Sequence, residues 1–380
     1  MFLRTQLLLY SQEYSIFLWG ARQTGKTTLI KQLYPEAIFF DLLKNDLYRN
    51  FLNNPENFRN IVLASPITNP IVIDEVQKLP MLLDEVHWLI ENSSHRFILS
   101  GSSPRKILNA NVNLLGGRAL KHKLYPLSYS EIENFDLTKA LNNGLLPRHY
   151  LAKNAEPLIA AYIGNYLEDE IVAETKLRNV EIFSKFLDKV AFSNGEIVNY
   201  TNIAAECHVK SPTIKEYFNI LNQSMIGGFV QAYQKSPKRR IVNAPKFYFF
   251  DVGIANFLLK RKNIEYGSTN FGFAFEHFIY MELKCYSQYS GKNFEINYWR
   301  TSSGFEVDFV LNNAEVAIEV KSANDIQPKH VKGLKAFNEE YKPKKNIVVC
   351  FEEFTKQINA NTVAMPWQIF LKSLWGGEVL

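Results

Sequence analysis

Gly20-Ala21-Arg22-Gln23-Thr24-Gly25-Lys26-Thr27-Thr28 is the stretch from which the fold is read. It has the form G-x-x-x-x-G-K-T, after an apolar run, Ile16–Trp19, and before Thr28–Leu33. The order is strand, glycine-rich turn, helix. Such a turn aims backbone N–H groups inward at phosphate oxygens, and the helix N-terminus adds partial positive charge. The Lys26 side chain can then reach the β- and γ-phosphates, and the Thr27 hydroxyl can ligate Mg²⁺. All nine residues from Gly20 to Thr28 are therefore expected around a bound nucleotide.

Further along, Ala37–Leu43 reads as a second strand with Asp41 toward its end, and a polar connection of helical character covers Asn45–Ala64. Ile71-Val72-Ile73 then runs into Asp74-Glu75. Three branched apolar residues suit a parallel strand buried on both faces. Its end delivers Asp74 to a Mg²⁺ shell, with Glu75 placed to polarise the attacking water as general base. Arg96–Ser103 is a further buried strand ending in small polar residues, and either Ser100 or Ser102 can sense a γ-phosphate or orient water; Ser100 joins the expected nucleotide contacts. Arg118, after Gly116-Gly117, is a candidate sensor or arginine finger, in cis or across a subunit interface. Alternating strands and helices give a doubly wound α/β core. No Asn-Lys-x-Asp element for reading guanine occurs, so ATP is expected.

With 380 residues the chain has room for roughly two to four domains. A net charge of +5 tolerates a polyanion partner without demanding one. Cys207, Cys285 and Cys350 are isolated and odd in number, which argues against a disulfide framework or a zinc site and fits a reducing compartment. No apolar run approaches the length of a membrane span, so a cytoplasmic protein without a membrane partner is expected.

The core is expected over 1–125, with a helical lid over 126–193. Ser128 and Glu131 fit a capping box, and helical patterns cover Pro157–Lys176 and Val180–Phe192. Residues 194–263 read as a winged helix. A short helix at Thr201–Cys207, a turn, a second helix from Pro212 to Gln223, and strands at Phe229–Tyr233 and Lys246–Phe250 follow in order. The hairpin tip carries Lys235, Lys238, Arg239 and Arg240, and Lys210 and Lys215 lie by the second helix, so this wing, 235–240, is the expected DNA contact.

The last domain, 264–380, starts with a helix, Phe271–Tyr286, that carries Glu276. Phe305–Leu311 and Ala314–Lys321 alternate as half-buried strands around Asn312-Asn313. A two-residue loop there pairs Leu311 with Ala314 and sets Asp308 opposite Ala317. Glu319 becomes its diagonal neighbour on the same face, roughly 7 Å away. Asp308, Glu319 and an approaching Glu276 can hold Mg²⁺ or Mn²⁺. Lys321 then orients water or offsets negative charge as a phosphodiester is cut.

D-x₁₀-E-x-K resembles the PD-(D/E)xK restriction-endonuclease-like superfamily. The whole chain resembles a prokaryotic AAA+ (STAND-like) ATPase fused to a C-terminal nuclease-like domain of unknown function. The residues that carry this are Gly20–Thr28, Ile73–Gln77, Leu99–Ser103, Gly117-Arg118, Pro126–Glu131, Lys246–Gly253 and Glu319–Lys321. The resemblance implies ATP binding and hydrolysis and a winged-helix-plus-nuclease-like second half. One departure is Asn143-Gly144-Leu145-Leu146-Pro147, where similar proteins read Gly-Gly-x-Pro. The function expected is a Mg²⁺-dependent ATPase switch acting on DNA, with a homo-oligomer among its candidate assemblies and metal-dependent nuclease chemistry at the C-terminus. The alternative is an ATP-dependent protein-interaction module whose nuclease-like fold is a scaffold. A P-loop kinase fits less well, because no site for an acceptor hydroxyl is evident.

Overall fold

The computed structural model describes residues 2–105, 107, 115–164, 180–235 and 238–380. The chain falls into two compact units.

One unit is Arg4–Pro126 with Gln223–Ile226. Its strands are β1 (Ser15–Trp19), β2 (Ile38–Asp41), β3 (Ile71–Asp74), β4 (Phe97–Gly101) and β5 (Ala119–Lys123). They form one sheet in the order β2-β3-β4-β1-β5, with every pairing parallel. β1, β3 and β4 are buried along their whole length, as expected of parallel strands covered on both faces. Helices α1 (Lys26–Leu33), α2 (Asn45–Asn53), α3 (Pro55–Leu63) and α4 (Leu82–Asn92) supply the connections. The polar connection expected over Asn45–Ala64 is thus two helices, split at Asn54-Pro55 because proline fits the first turn of a new helix. Phe40, Phe51 and Phe58 meet edge to face, with centroids 5.4 to 5.5 Å apart, and lock α2 and α3 onto the sheet.

Strand order decides what can meet. Trp19 pairs with Gly101 and Ile73 with Leu99, so the ends of β1, β3 and β4 share one edge. Ala119 pairs with Ser15, at the other end of β1.

The other unit comprises Met1–Leu3, Leu127–Asn222 and Gly227–Leu380. Its helical part begins at a 3₁₀ turn, Tyr129–Glu131, carrying the expected capping box of Ser128 and Glu131. There follow α5 (Leu137–Asn143), α6 (Pro147–Leu151), α7 (Glu156–Tyr162), α8 (Val180–Ala191), α9 (Tyr200–Glu206), α10 (Ser211–Gln223) and α11 (Val252–Leu258). The part of the expected Pro157–Lys176 helix beyond 164 lies outside the described residues. Asp251 holds this region together. Its Oδ2 accepts N–H bonds from Leu145 (2.7 Å) and Leu146 (3.2 Å), and its Oδ1 caps α11 at Ile254 (3.1 Å). Gly144, at φ 77°, lies so close that a Cβ would sit 2.2 Å from Asp251 Oδ1. This explains why glycine is needed at 144.

An eight-stranded sheet fills the remainder. Its strands are β6 (Gly227–Ala232), β7 (Lys246–Phe249), β8 (Ile296–Arg300), β9 (Glu306–Leu311), β10 (Val316–Val320), β11 (Lys345–Cys350), β12 (Lys356–Asn359) and β13 (Thr362–Pro366). They run in the order β12-β13-β11-β10-β9-β8-β6-β7. The β6–β7 hairpin expected as a free wing is therefore built into the C-terminal sheet, with Gln231 and Ala232 pairing parallel with Asn297 and Tyr298. Both regions fall in the same compact unit. A long helix, α12 (Thr269–Tyr289), packs Tyr280 onto Tyr248 at 4.3 Å between centroids and Phe275 onto Phe351 at 4.9 Å. Helix α13 (Lys332–Tyr341) sets Phe337 against Trp299. Gly333 lets α13 lie on β9, since a Cβ there would be 1.7 Å from the Glu306 carbonyl oxygen. The chain ends with α14 (Trp367–Trp375).

The β9–β10 register corrects the expected one. Leu311 pairs with Val316, not Ala314. Asn312, Asn313 and Ala314 all take positive φ (48°, 57° and 67°) and lengthen the loop. The pairing slips by an even number of residues, so the faces are unchanged. Continued by one pair, this register sets Glu319 directly opposite Asp308 instead of diagonal to it.

Candidate functional site

The Gly20–Thr28 loop holds itself in shape. Thr24 Oγ1 donates to the Ala21 carbonyl at 2.8 Å. Lys26 Nζ donates to the carbonyls of Gly20 (2.7 Å) and Ala21 (3.2 Å). Gly20 is required, because a Cβ would lie 2.5 Å from the Leu124 carbonyl oxygen, and Gly25 turns into α1 at φ 94°. The first helical N–H groups of α1 have no intrahelical acceptor and face the turn. Burial lowers the Lys26 pKa, outweighing the opposing pull of Glu75 and Asp74. Arg22 is half-buried, while Gln23 and Thr28 are exposed. Arg4, which sequence reasoning missed, clamps the loop. It donates to the Thr24 carbonyl at 2.5 Å and to the carbonyls of Tyr125 (2.7 Å) and Pro126 (3.2 Å). Only a lone arginine before any pattern marks it in the sequence.

Asp74 organises the adjoining edge. Thr27 Oγ1 donates to its Oδ2 at 2.6 Å, and Ser100 Oγ donates to its Oδ1. Ser100 is fully buried, so it orients Asp74 rather than presenting itself to a ligand. Glu75 takes left-handed backbone angles, φ 59° and ψ 41°, uncommon for a non-glycine residue. Its side chain is held by Gln77 Nε2, which also donates to Ser102 Oγ at 3.0 Å. Ser102 was a candidate for orienting water and Gln77 closed the Ile73–Gln77 motif, but the hydrogen bond that joins them to Glu75 was not read from the sequence.

Arg118 is not part of this cluster. It precedes β5 at the end that pairs with Ser15, about 13 Å along β1 from the phosphate loop at 3.3 Å per residue. It forms an exposed ion pair with Glu91 of α4. The structure therefore does not bring Arg118 together with Lys26, Asp74 and Glu75.

In the second unit, two lysines each bridge two carboxylates. Lys246 Nζ lies 2.8 Å from Glu306 and 3.4 Å from Glu276, whose Oε1 also accepts from Tyr248 OH at 2.6 Å. Lys321 Nζ lies 2.6 Å from Glu319 and 3.6 Å from Asp308. Burial works against both ammonium groups, but the carboxylates prevail and raise their pKa values. Asp308 Oδ2 accepts from the Val320 N–H at 2.7 Å. Glu319 is pushed up to about 8 by burial and then by Asp308, against Lys321. Its Oε2 is buried without a hydrogen-bond partner. The expected metal set of Glu276, Asp308 and Glu319 is not assembled. Among the described residues no three His, Cys, Asp or Glu side chains are grouped to hold a metal, because Lys246, missed in the sequence, and Tyr248 take up Glu276. A cleft of about 310 Å³ adjoins Glu319 and Lys321, with Lys329, His330 and Lys332 on its wall.

The wing residues are partly engaged. Arg239 pairs with Glu339 (2.5 Å) and Glu340 (2.6 Å) of α13. Lys235 Nζ reaches Asn313 Oδ1 at 3.5 Å. The exposed Lys215 lies over the Tyr200 ring at 5.5 Å. Residues 236–237 lie outside the described residues.

The parallel sheet, the phosphate loop and the Asp74-Glu75 strand end define a P-loop NTPase core. Residues 12–133 match the family described as an AAA domain. Residues 134–265 and 271–370 match two domains of unknown function, DUF8612 and DUF4143. The chain is 20% identical to an uncharacterized protein of Haemophilus influenzae, covering 81% of this chain and 82% of that one. It is 23% identical to an uncharacterized protein of Methanocaldococcus jannaschii, covering 94% and 84%. A crystal structure of a signal transduction ATPase with numerous domains (STAND), with a tetratricopeptide repeat sensor, from Pyrococcus horikoshii is 12% identical with a TM-score of 0.20. The match covers 75% of this chain and 47% of that one. The AAA-domain match supports an ATP-binding AAA+ ATPase core. Among the described residues no helix is long and apolar enough to cross a membrane.

Proposed function

We propose that this chain hydrolyses ATP, with Mg²⁺ held by Thr27 and Asp74 and the attacking water polarised by Glu75. The observation that carries this is the 2.6 Å contact between the Thr27 hydroxyl and the Asp74 carboxylate, which joins the start of α1 to the end of β3. These two oxygen donors fit a hard cation that keeps several waters. Bound Mg²⁺ would supply charge neutralisation on the β- and γ-oxygens. The chain's own groups do the rest. Backbone N–H groups of the loop and Lys26 bind phosphate, Ser100 fixes Asp74, and Glu75 accepts the water's proton. Lys26→Ala should abolish nucleotide binding. Glu75→Gln should bind ATP but slow hydrolysis by about 10²–10⁴-fold, the usual share of a general base. Unchanged turnover in either variant defeats the reading. Arg118 acts across a subunit interface, on a neighbouring copy in a homo-oligomer.

A second reading concerns the C-terminal cleft. The buried, partnerless Glu319 Oε2 beside Asp308 favours a cation bound by these two carboxylates. Metal-dependent cleavage of DNA is the activity proposed there, with the switch driven by ATP.

A further inference from the structure

We propose that Gln77 is a positioning residue for Glu75 and that Gln77 and Ser102 form a second arm of the ATPase site. This rests on the reading of Glu75 as general base. The edge of the sheet carries two separate hydrogen-bond lines. On the metal side, Ser100 and Thr27 both donate to Asp74. On the base side, Gln77 Nε2 donates to both Glu75 Oε2 and Ser102 Oγ. The two lines start at adjacent residues, Asp74 at the end of β3 and Glu75 just past it, where the chain turns left-handed.

The chemistry fixes the direction. A carboxylate offers acceptors only, so the amide nitrogen, not its oxygen, faces Glu75. Its second hydrogen is left for Ser102. Gln77 is 3% exposed, and its Oε1 is buried without a partner. The amide is wedged at Gly101, where a Cβ would lie 2.4 Å from Oε1 and 2.7 Å from the Trp19 ring. With its oxygen left without a partner, the hydrogen-bonding of this side chain is carried by its nitrogen. It takes one oxygen of Glu75 and fixes the plane of the carboxylate, leaving Oε1 to accept from water. The left-handed backbone of Glu75 starts the short turn Val76–Lys78 that brings Gln77 back under its neighbour.

A base displaced by about 1 Å can lose about 10²-fold in rate. The test uses the full chain, with steady-state ATP hydrolysis and binding of a fluorescent ATP analogue. Gln77→Met keeps the volume and removes the donor. It should lower kcat by about 10²-fold with the KM for ATP nearly unchanged. In a Glu75→Gln background the same change should cost nothing further, because there is no base left to position; a merely structural role would give multiplied losses. Wild-type kcat in Gln77→Met, or multiplied losses in the double variant, overturns the proposal while leaving Glu75 as base intact. Normal turnover in Glu75→Gln alone instead removes the reading beneath it. Should Gln77→Met lose ATP binding, Ser102→Ala decides by the same criteria: a reduced kcat at unchanged KM supports the arm, and an unchanged kcat overturns it.

Discussion

Replacing Asp251 tests the account of the second unit most directly. Its carboxylate is 1% exposed and accepts from the N–H groups of Leu145, Leu146 and Ile254, all themselves buried. Asp251→Ala leaves three buried donors without an acceptor, one of them the capped Ile254 N–H of α11, each costing roughly 1–3 kcal/mol. Allowing for relaxation, a loss of about 4 kcal/mol or more is expected, well beyond the usual range for single substitutions. Asp251→Asn keeps one acceptor oxygen. It can serve Leu145 and Leu146 or Ile254, but not both, so about half that loss is expected. The pH dependence has a definite sign. Burial outweighs the N–H bonds and raises the Asp251 pKa, so the group's contribution is fullest below the unfolded value of about 4 and declines as pH rises through the folded one. The gap between wild type and Asp251→Asn should therefore narrow upward from about pH 4. Urea unfolding followed by circular dichroism, at several pH values and with m compared between proteins, measures this. A loss under about 1 kcal/mol for Asp251→Ala, where even one orphaned donor should cost that much, would refute the reasoning. So would equal losses for Ala and Asn.

Glu282 gives a further pH test. It is buried in α12, accepting from Tyr129 N–H and Trp375 Nε1, each at 2.8 Å, and burial pushes its pKa up to about 8. Its contribution is complete below the unfolded value of about 4.3 and fades as pH rises to about 8. Thermal melts of Glu282→Gln should lose that fall in stability between the two; an unchanged slope contradicts it. At the C-terminal cleft, plasmid incubated with Mg²⁺ or Mn²⁺ should be nicked by the wild type and not by Asp308→Ala. Absence of nicking by the wild type in every nucleotide state overturns the cleavage proposed for this cleft.

The ATPase half was legible because its residues act locally. Gly20, Lys26 and Thr27 are fixed within one turn, and Asp74-Glu75 sits at the end of a strand whose composition declares it buried. What escaped was set by the partner elements. Gln77 reads as a polar residue in a turn until β4 places Ser102 beside it. Where Arg118 lies relative to the loop depends on β5, which pairs Ala119 with Ser15 at the far end of β1. In the C-terminal sheet the faces were legible from alternation, but the register was not. A run of Asn, Asn and Ala tolerates several loop lengths, and an even slip leaves every side chain on its own face. Lys246 was hidden for another reason. It opens an aromatic strand, and nothing in its neighbourhood announces that Glu276 and Glu306 will close around it.

The basic hairpin shows what local charge can and cannot say. Lys235, Lys238, Arg239 and Arg240 read as a footprint for phosphates only if no acid of the chain reaches them. Because β6 joins β8, the connection leaving the hairpin comes against α13, and Glu340, whose side chain is 2% exposed, takes Arg239. A buried glutamate without that guanidinium would be an uncompensated charge. Arg239 is therefore committed to holding the hairpin to its own sheet, while Lys238 and Arg240 remain exposed. Any polyanion reaching this face meets those two side chains and Lys235, whose ammonium reaches the neutral amide of Asn313. A sequence count of four cations thus shrinks to three once the fold assigns Arg239 its acid, and the attraction left for a phosphate backbone shrinks with it.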